Sequence, residues 1–209
     1  MDSTDRRAKA KTRLHAQILD AARGLFTRHG YEAVTMRAIG REIGYTATAL
    51  YYHFPNKESL LLELCENDFR KLSDSIQRLA KIADPVERTR QTGIAYVDFG
   101  LRHPQHYRLM FMTPRPEPEP HQVRIERGNP NEDGFAFLML ALQESIDAHR
   151  LRPEFKDANL VAQVFWACVH GVVSLHLTKR ESKWIQWHSA PQTAELMINA
   201  LLRGLERQP

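Results

Sequence analysis

The stretch "TALYYHFPNKESLL", residues 48–61, places three aromatics and a histidine in four consecutive positions, Tyr51 to Phe54. Pro55 follows at once, and Lys57 two residues later. Aromatics at that density usually belong to a core, yet Tyr-Tyr-His carries three polar tips that a core would have to satisfy. Proline cannot continue a helix, so a helix entering this run ends at Pro55. The question is what partner wants two hydroxyls and an imidazole on so short an element.

The flanking segments are helical. Upstream, Leu14, Ile18, Ala21, Ala22, Leu25 and Phe26 recur at three and four, one apolar stripe closed by Gly30. Thr35 caps a second helix with Met36, Ile39 and Ile43 inward, and Gly44 ends it. Thr46 caps the short third helix, and Asn56 caps a longer fourth with Leu60, Leu61, Leu64, Phe69, Leu72, Ile76 and Leu79 as its apolar positions. Asp84-Pro85-Val86-Glu87 is a helix start, with a capping Asp, a proline at the first helical position and a Glu at the third. That helix runs to about Arg102, His103-Pro104 interrupts it, and "QHYRLMFM" forms a shorter one. Residues 113–133, with five prolines, read as a surface loop. Helices follow from about Gly134 to His149, from Asp157 to about Thr178, and from Pro191 onward. No strand and no repeat is evident. The fold class is all-α.

Charge divides the chain. Residues 1–58 hold ten Lys/Arg against six Asp/Glu, and the remainder holds nineteen of each, so the whole net charge of +4 sits in the first quarter. A basic unit joined to a neutral one points to a polyanion partner for the first, although a solvated basic tail accounts for composition alone equally well. No apolar run approaches the ~20 residues of a membrane-spanning helix. The polar N-terminus lacks an apolar signal core, and Cys65 and Cys168 lie in apolar helical patterns as reduced packing residues. A cytoplasmic protein without a membrane partner is expected.

The second and third helices, joined by Gly44-Tyr45, have helix-turn-helix geometry. In a DNA reader the second of the pair enters the major groove. Leu50 and Phe54, at i and i+4, plug it into the core, while Tyr51, Tyr52 and His53 project outward with tips suited to phosphate oxygens. Lys57 adds a charge beyond the Pro55 turn. Structural alternatives stand beside these roles: Tyr51 as a core aromatic, His53 as a helix-end cap, Thr35 and Thr46 as caps only. Arg6, Arg7, Lys9 and Lys11 are expected to be disordered without DNA and able to enter the adjacent minor groove.

Here the chain resembles a known family. "TMRAIGREIGYTATALYYHFPNKESLL" (35–61) and the preceding "ILDAARGLFTRHGYEAVTM" (18–36) resemble the DNA-binding domain of TetR-type transcriptional regulators. "VFWACVHGVVSL" (164–175) resembles the Trp-x-x-x-His-Gly signature of one group of TetR C-terminal domains, and "HPQHYRLMF" (103–111) fits that group. The resemblance implies a homodimer on a palindromic double-stranded DNA operator and a C-terminal body that binds a small-molecule effector. Carried over by position, Thr35, Thr46, Thr48, Tyr51, Tyr52, His53 and Lys57 are the DNA contacts. Tyr45-Thr46 replaces the usual apolar-Ser pair and Ala49 lacks a hydrogen-bonding group, so base readout falls to Thr48, Tyr45 and Arg37, with Ala49 against a thymine methyl. The domains are then a basic arm and helix-turn-helix at 1–57 and an effector-binding and dimerisation body at 58–209.

The body is rich in aromatics and methionines, as an adaptable apolar pocket is, although ordinary core explains any single one of them. Tyr96, Phe99, Tyr107, Met110, Phe111, Phe135, Met139, Phe165, Trp166 and His170 are the candidate effector contacts. His170 reads either as a polar anchor or as a buried histidine satisfied by a carbonyl. The segment 160–177 is apolar nearly all round, and Leu196, Ile198, Leu201, Leu202 and Leu205 line the last helix, which suits a symmetric four-helix dimer contact. His103-x-x-His106 has no third ligand at metal spacing, and Gly-rich phosphate loops, HExxH and GxSxG are missing, so neither metal, cofactor nor catalysis is expected. A ligand-regulated repressor explains most of the sequence; an activator or a ligand-independent DNA binder explains less, and a helical enzyme or scaffold least.

Overall fold

A computed structural model describes residues 3–114, 116 and 123–207. Among them the helices run α1 (Ser3–His29), α2 (Met36–Glu42), α3 (Ala47–Tyr51), α4 (Lys57–Gln77), α5 (Pro85–Arg102), α6 (Pro104–Phe111), α7 (Gly134–Asp147), α8 (Ala158–Lys179) and α9 (Ala190–Leu205). Extended pairing among the described residues is limited to an antiparallel bridge between Leu151 and Glu206. The all-α architecture is as expected from the periodicity.

The caps are where the local chemistry puts them. Thr35 accepts from the Ala38 amide at 3.1 Å and Thr46 from the Ala49 amide at 3.3 Å. Asn56 and Ser59 cap α4 reciprocally, Asn56 Oδ1 accepting from the Ser59 amide at 2.7 Å. Asp84 accepts from the Val86 and Glu87 amides, and Asp157 from those of Asn159 and Leu160. Each satisfies amides that the first turn leaves without partners.

Two compact units emerge. The first comprises 1–68 and 105–124, the second 69–104 and 125–209. In the first, Ile18, Ala22, Phe26, Ile39, Leu50, Phe54, Leu60 and Leu64 are buried, so the short α3 is held by its Leu50 and Phe54 as the spacing requires. Gly40 makes the α2–α3 turn possible: a Cβ there would lie 2.6 Å from the Tyr45 carbonyl oxygen, whose residue's own amide donates to the Gly40 carbonyl at 2.8 Å. Buried Asp68 accepts from Arg23 Nε and Nη2 at 3.2 and 2.9 Å and from His106 Nδ1 at 2.7 Å, joining α1, α4 and α6.

In the second unit α5 packs against α7, α8 and α9, with α8 also against α7 and α9. Phe137, Leu138, Leu142, Val161, Phe165, Val169, Val173, Ile198 and Leu202 are buried there. A Cβ at Gly93 would meet Phe165 at 2.7 Å and Ile198 at 2.9 Å, so glycine is what lets α8 and α9 approach α5. Buried Arg88 donates to the Ile82 carbonyl at 3.1 Å and pairs with Glu144.

Three expectations are corrected. First, α1 starts at Ser3 rather than Leu14, so Arg6, Arg7, Lys9 and Lys11 are helical, not a disordered arm. Ala8 and Ala10 are strong helix formers and extend the helix although it has no apolar stripe there. Second, α7 ends at Asp147: Ala148 caps it and His149 turns left-handed at φ 54°, before the sequence reading placed its end. Third, α8 is, by length and composition alone, long and apolar enough to cross a membrane. Its polar positions (Gln163, His170, Ser174) break the apolar run but are uncharged, so the average stays high. The proline-rich segment expected as a surface loop falls partly outside the described residues, which omit 115 and 117–122.

Candidate nucleic-acid interface

The exposed side of α3 follows from the burial of its other side. With Leu50 and Phe54 buried, Tyr51 and Tyr52 stand out at 52% and 75% exposure, and Tyr45, ahead of the helix, at 45%. Tyr51 is therefore not a core aromatic. Thr35, Arg37, Thr46 and Thr48 are exposed on the same pair of helices and the turn between them. Both cap threonines spend an oxygen lone pair on the helix, which leaves each hydroxyl hydrogen to donate outward.

His53 is half-buried. Its Nδ1 has no hydrogen-bond partner among the described residues, and its amide donates to the Leu50 carbonyl at 2.9 Å. Burial pushes its pKa down from the ordinary imidazole value, and the neighbouring His15 and Lys11 add to the effect. His15 is stacked on Phe54 with ring centres 4.6 Å apart, and its Nε2 donates to Glu63 at 2.6 Å. Lys11 Nζ lies 5.1 Å from the centre of the Tyr52 ring, a cation–π contact. Lys11 was expected only in a disordered arm reaching the minor groove, not beside α3, and His15 was not expected at this face at all. Their i, i+4 spacing, carried back from the α1 stripe, is the signal that would have found them.

Lys57 is turned back rather than outward. Its ammonium donates to the Tyr31 carbonyl at 3.0 Å and sits 4.0 Å from the Tyr31 ring centre. A lysine has three N–H donors, so one bond to Tyr31 still leaves others for a phosphate.

The ten expected effector contacts divide between the two units. Tyr107, Met110 and Phe111 belong to the first; Tyr107 is fully buried and its ring packs 4.9 Å from that of Phe111. The other seven belong to the second. There the Trp166 indole donates to the Tyr96 hydroxyl at 3.0 Å, and that oxygen lies 3.4 Å from His170 Nδ1. Phe135 meets the Trp166 ring edge-on at 6.0 Å. Burial lowers the His170 pKa, favouring the neutral ring. Phe165 is buried against α5 and α9, Phe99 is buried with its ring 5.1 Å from that of His103, and Met139 is half-buried. A cleft of about 310 Å³ in the second unit is lined by Asp84, Glu87, Arg90, Arg150, Arg203 and Glu206 among others, none of them an expected contact. Its charges pair: Arg90 with Glu87 at 2.6 Å, Arg150 with Asp84 at 3.3 Å. Against burial, which raises it, the helix-start amides and then Arg150 lower the Asp84 pKa, and Arg90 lowers that of Glu87. Of His103-x-x-His106, the first has its ring 5.1 Å from that of Phe99 and the second donates from Nδ1 to Asp68.

A short capped helix anchored by two apolar residues, with its polar side exposed and basic residues around it, defines a helix-turn-helix protein. The family profile of the bacterial regulatory proteins of the tetR family matches residues 18–64, and that of the tetracyclin repressor-like C-terminal domain matches residues 89–201, more than half of the chain. The chain belongs to the TetR family. It is 35% identical over 60 residues to the HTH-type transcriptional repressor AcnR of Corynebacterium diphtheriae, covering 29% of this chain and 32% of that protein. The chain thus spans about a third of the length of that relative. Among solved structures, SmeT, the repressor of the Stenotrophomonas maltophilia multidrug efflux pump SmeDEF, is similar at a TM-score of 0.66 and 25% identity, over 92% of this chain and 90% of SmeT. A protein of unknown function from Rhodococcus sp. RHA1 shares the fold at a TM-score of 0.71 and 22% identity, over 93% and 96% of the two chains.

Proposed function

We propose that the protein is a ligand-responsive transcriptional repressor that binds a palindromic operator as a homodimer and leaves it when a small molecule occupies the C-terminal body. The observation that carries this reading is the α3 side chain distribution: Leu50 and Phe54 inward, Tyr45, Thr46, Thr48, Tyr51 and Tyr52 outward. Residues up to 57 form the reading domain and 58–209 the body. Thr35, Thr46, Tyr51, Tyr52, His53 and Lys57 hold phosphates. Arg37, Tyr45 and Thr48 reach base edges, with Ala49 against a thymine methyl. Repression is the sign favoured by AcnR and SmeT, both named as repressors.

The homodimer is supported by the exposed apolar side chains of α8 and α9: Leu160, Val164 and Leu175 on the first, Leu196 on the second. One copy has no use for these faces, and a symmetric contact buries them. In such a dimer the two α3 helices must sit ~34–36 Å apart to enter successive major grooves. The Trp-x-x-x-His-Gly segment of α8, with Trp166 and His170 joined through Tyr96, supplies the polar part of the effector wall, and Phe135 an aromatic part. An effector that changes the separation of the reading helices lowers operator affinity by the coupling free energy, ~1–3 kcal/mol.

Selection from random duplexes, with footprinting and sedimentation of the complex, tests the reading. It expects an enriched palindrome bound by two chains. Weak binding indifferent to sequence would overturn it.

A further inference from the structure

Residues 3–17 lie ahead of the stretch that the tetR profile matches, and the structure makes them the first half of α1. From Asp5 to Arg13 every residue is exposed, and the segment carries Arg6, Arg7, Lys9, Lys11 and Arg13 against the single carboxylate of Asp5. Helix geometry sets Arg7, Lys11 and His15 in one row, each four residues from the next. The far end of that row is fixed in place by contacts. His15 is stacked on Phe54 and bonded to Glu63, and Lys11 lies over the Tyr52 ring. The row therefore ends at the tip of α3, and Arg7 stands about 6 Å further along the same helix face.

The charge pattern also points to a polyanion. Arg7 with Lys11, and Lys9 with Arg13, are like-charge pairs at i, i+4, which repel in an isolated helix. No buried apolar face holds these turns, since a helix earns most of its stability from such a face. A sequence shaped only for helix stability would alternate signs here. One shaped to grip a phosphate backbone would place cations in a row beside the residue that already faces it.

We infer that the Arg7–Lys11 face of α1 is a second DNA-backbone contact, continuous with α3 and reaching phosphates beyond those that the helix-turn-helix holds. It grips and does not read: no group on it is placed among the base-facing residues, so it tightens binding to every duplex alike. It acts as a rigid helical ridge, in contrast to a flexible arm threaded into the minor groove. This inference rests on the DNA-binding reading above.

The test is a salt titration of the full chain on its selected operator, comparing wild type with Arg7→Gln, Lys11→Gln and the double variant. Each lost phosphate contact lowers the slope of log K against log salt by about 0.9, so the double variant should lose about 1.8 with the ranking of operator variants unchanged. Lys11→Gln also removes the contact to Tyr52, so Arg7→Gln is the decisive single change, and Arg7→Lys should restore the wild-type slope. Circular dichroism checks that helix content is retained. If it falls in Arg7→Gln, Arg7→Ala, the stronger helix former, takes its place, a slope lower by about 0.9 supporting the contact and a wild-type slope refuting it. A wild-type slope in a folded Arg7→Gln on an operator the protein selects would overturn the inference and leave the repressor reading standing. Failure of the wild type to select any sequence would overturn both.

Discussion

Two glycine-to-alanine changes in the same unit should act in opposite directions. Gly24 and Gly40 both lie inside helices, α1 and α2, where alanine is favoured over glycine by ~1 kcal/mol. Their surroundings differ. A Cβ at Gly24 meets only the Arg28 guanidinium, at 3.2 Å, the mobile end of a long side chain. A Cβ at Gly40 meets backbone: the Tyr45 carbonyl oxygen at 2.6 Å and the Thr46 carbonyl carbon at 3.3 Å. That turn must move by about half an ångström, since contacts inside the repulsive wall are not tolerated. Overpacking of this kind costs ~1–3 kcal/mol. The two variants should then separate by about that amount, or roughly 2–12 °C in Tm for a chain of this length. Gly24→Ala should gain stability and bind operator as wild type does. Gly40→Ala should also lose operator affinity, by about tenfold or ~1.4 kcal/mol, because the displaced turn carries Thr46, the cap of α3. Thermal melts and anisotropy titrations on the selected operator measure both effects. A Gly40→Ala protein as stable as Gly24→Ala, with wild-type affinity, would refute the reasoning.

Other perturbations separate reading, stability and assembly. Tyr52→Phe should leave the unfolding free energy within about 0.5 kcal/mol of wild type, as expected of an exposed side chain, yet weaken all duplexes by ~1 kcal/mol in an anisotropy titration. Asp68→Ala leaves buried Arg23 and half-buried His106 without their shared carboxylate and should cost ~3–5 kcal/mol in urea unfolding. His53 and His170 both have folded-state pKa values below the ordinary 6.5, with burial as the leading cause. Their neutral forms favour the folded state, so that stability is complete above the unfolded value and is lost as pH falls through the lowered one. Melts between pH 7.5 and 5 should show the loss, and His170→Gln should flatten it. Leu196→Glu, at a side chain 74% exposed in one copy, should leave the helical content unchanged and shift the sedimenting species from dimer to monomer.

Much of this protein was legible because helices are local objects. Caps such as Thr35, Thr46, Asp84 and Asp157 act on amides two or three residues away, and apolar stripes repeat within one turn, so pattern alone places most elements. The outward side of α3 was readable for the same reason: Leu50 and Phe54 at i, i+4 leave Tyr51 and Tyr52 on the other side. The start of α1 was missed because a polar, cationic helix has no stripe to read. The expected effector set was only partly brought together, because aromatic content cannot say which ring faces the core. Phe165 is buried against α5 and α9, whereas Trp166, its neighbour in sequence, bonds to Tyr96. Tertiary structure alone decided the pairings across long separations. Asp68 meets Arg23 from 45 residues away and His106 from 38, and Lys57 turns back on Tyr31 from 26. Such contacts depend on which faces of distant helices meet, and that is set by the packing of the whole unit rather than by any local run of residues.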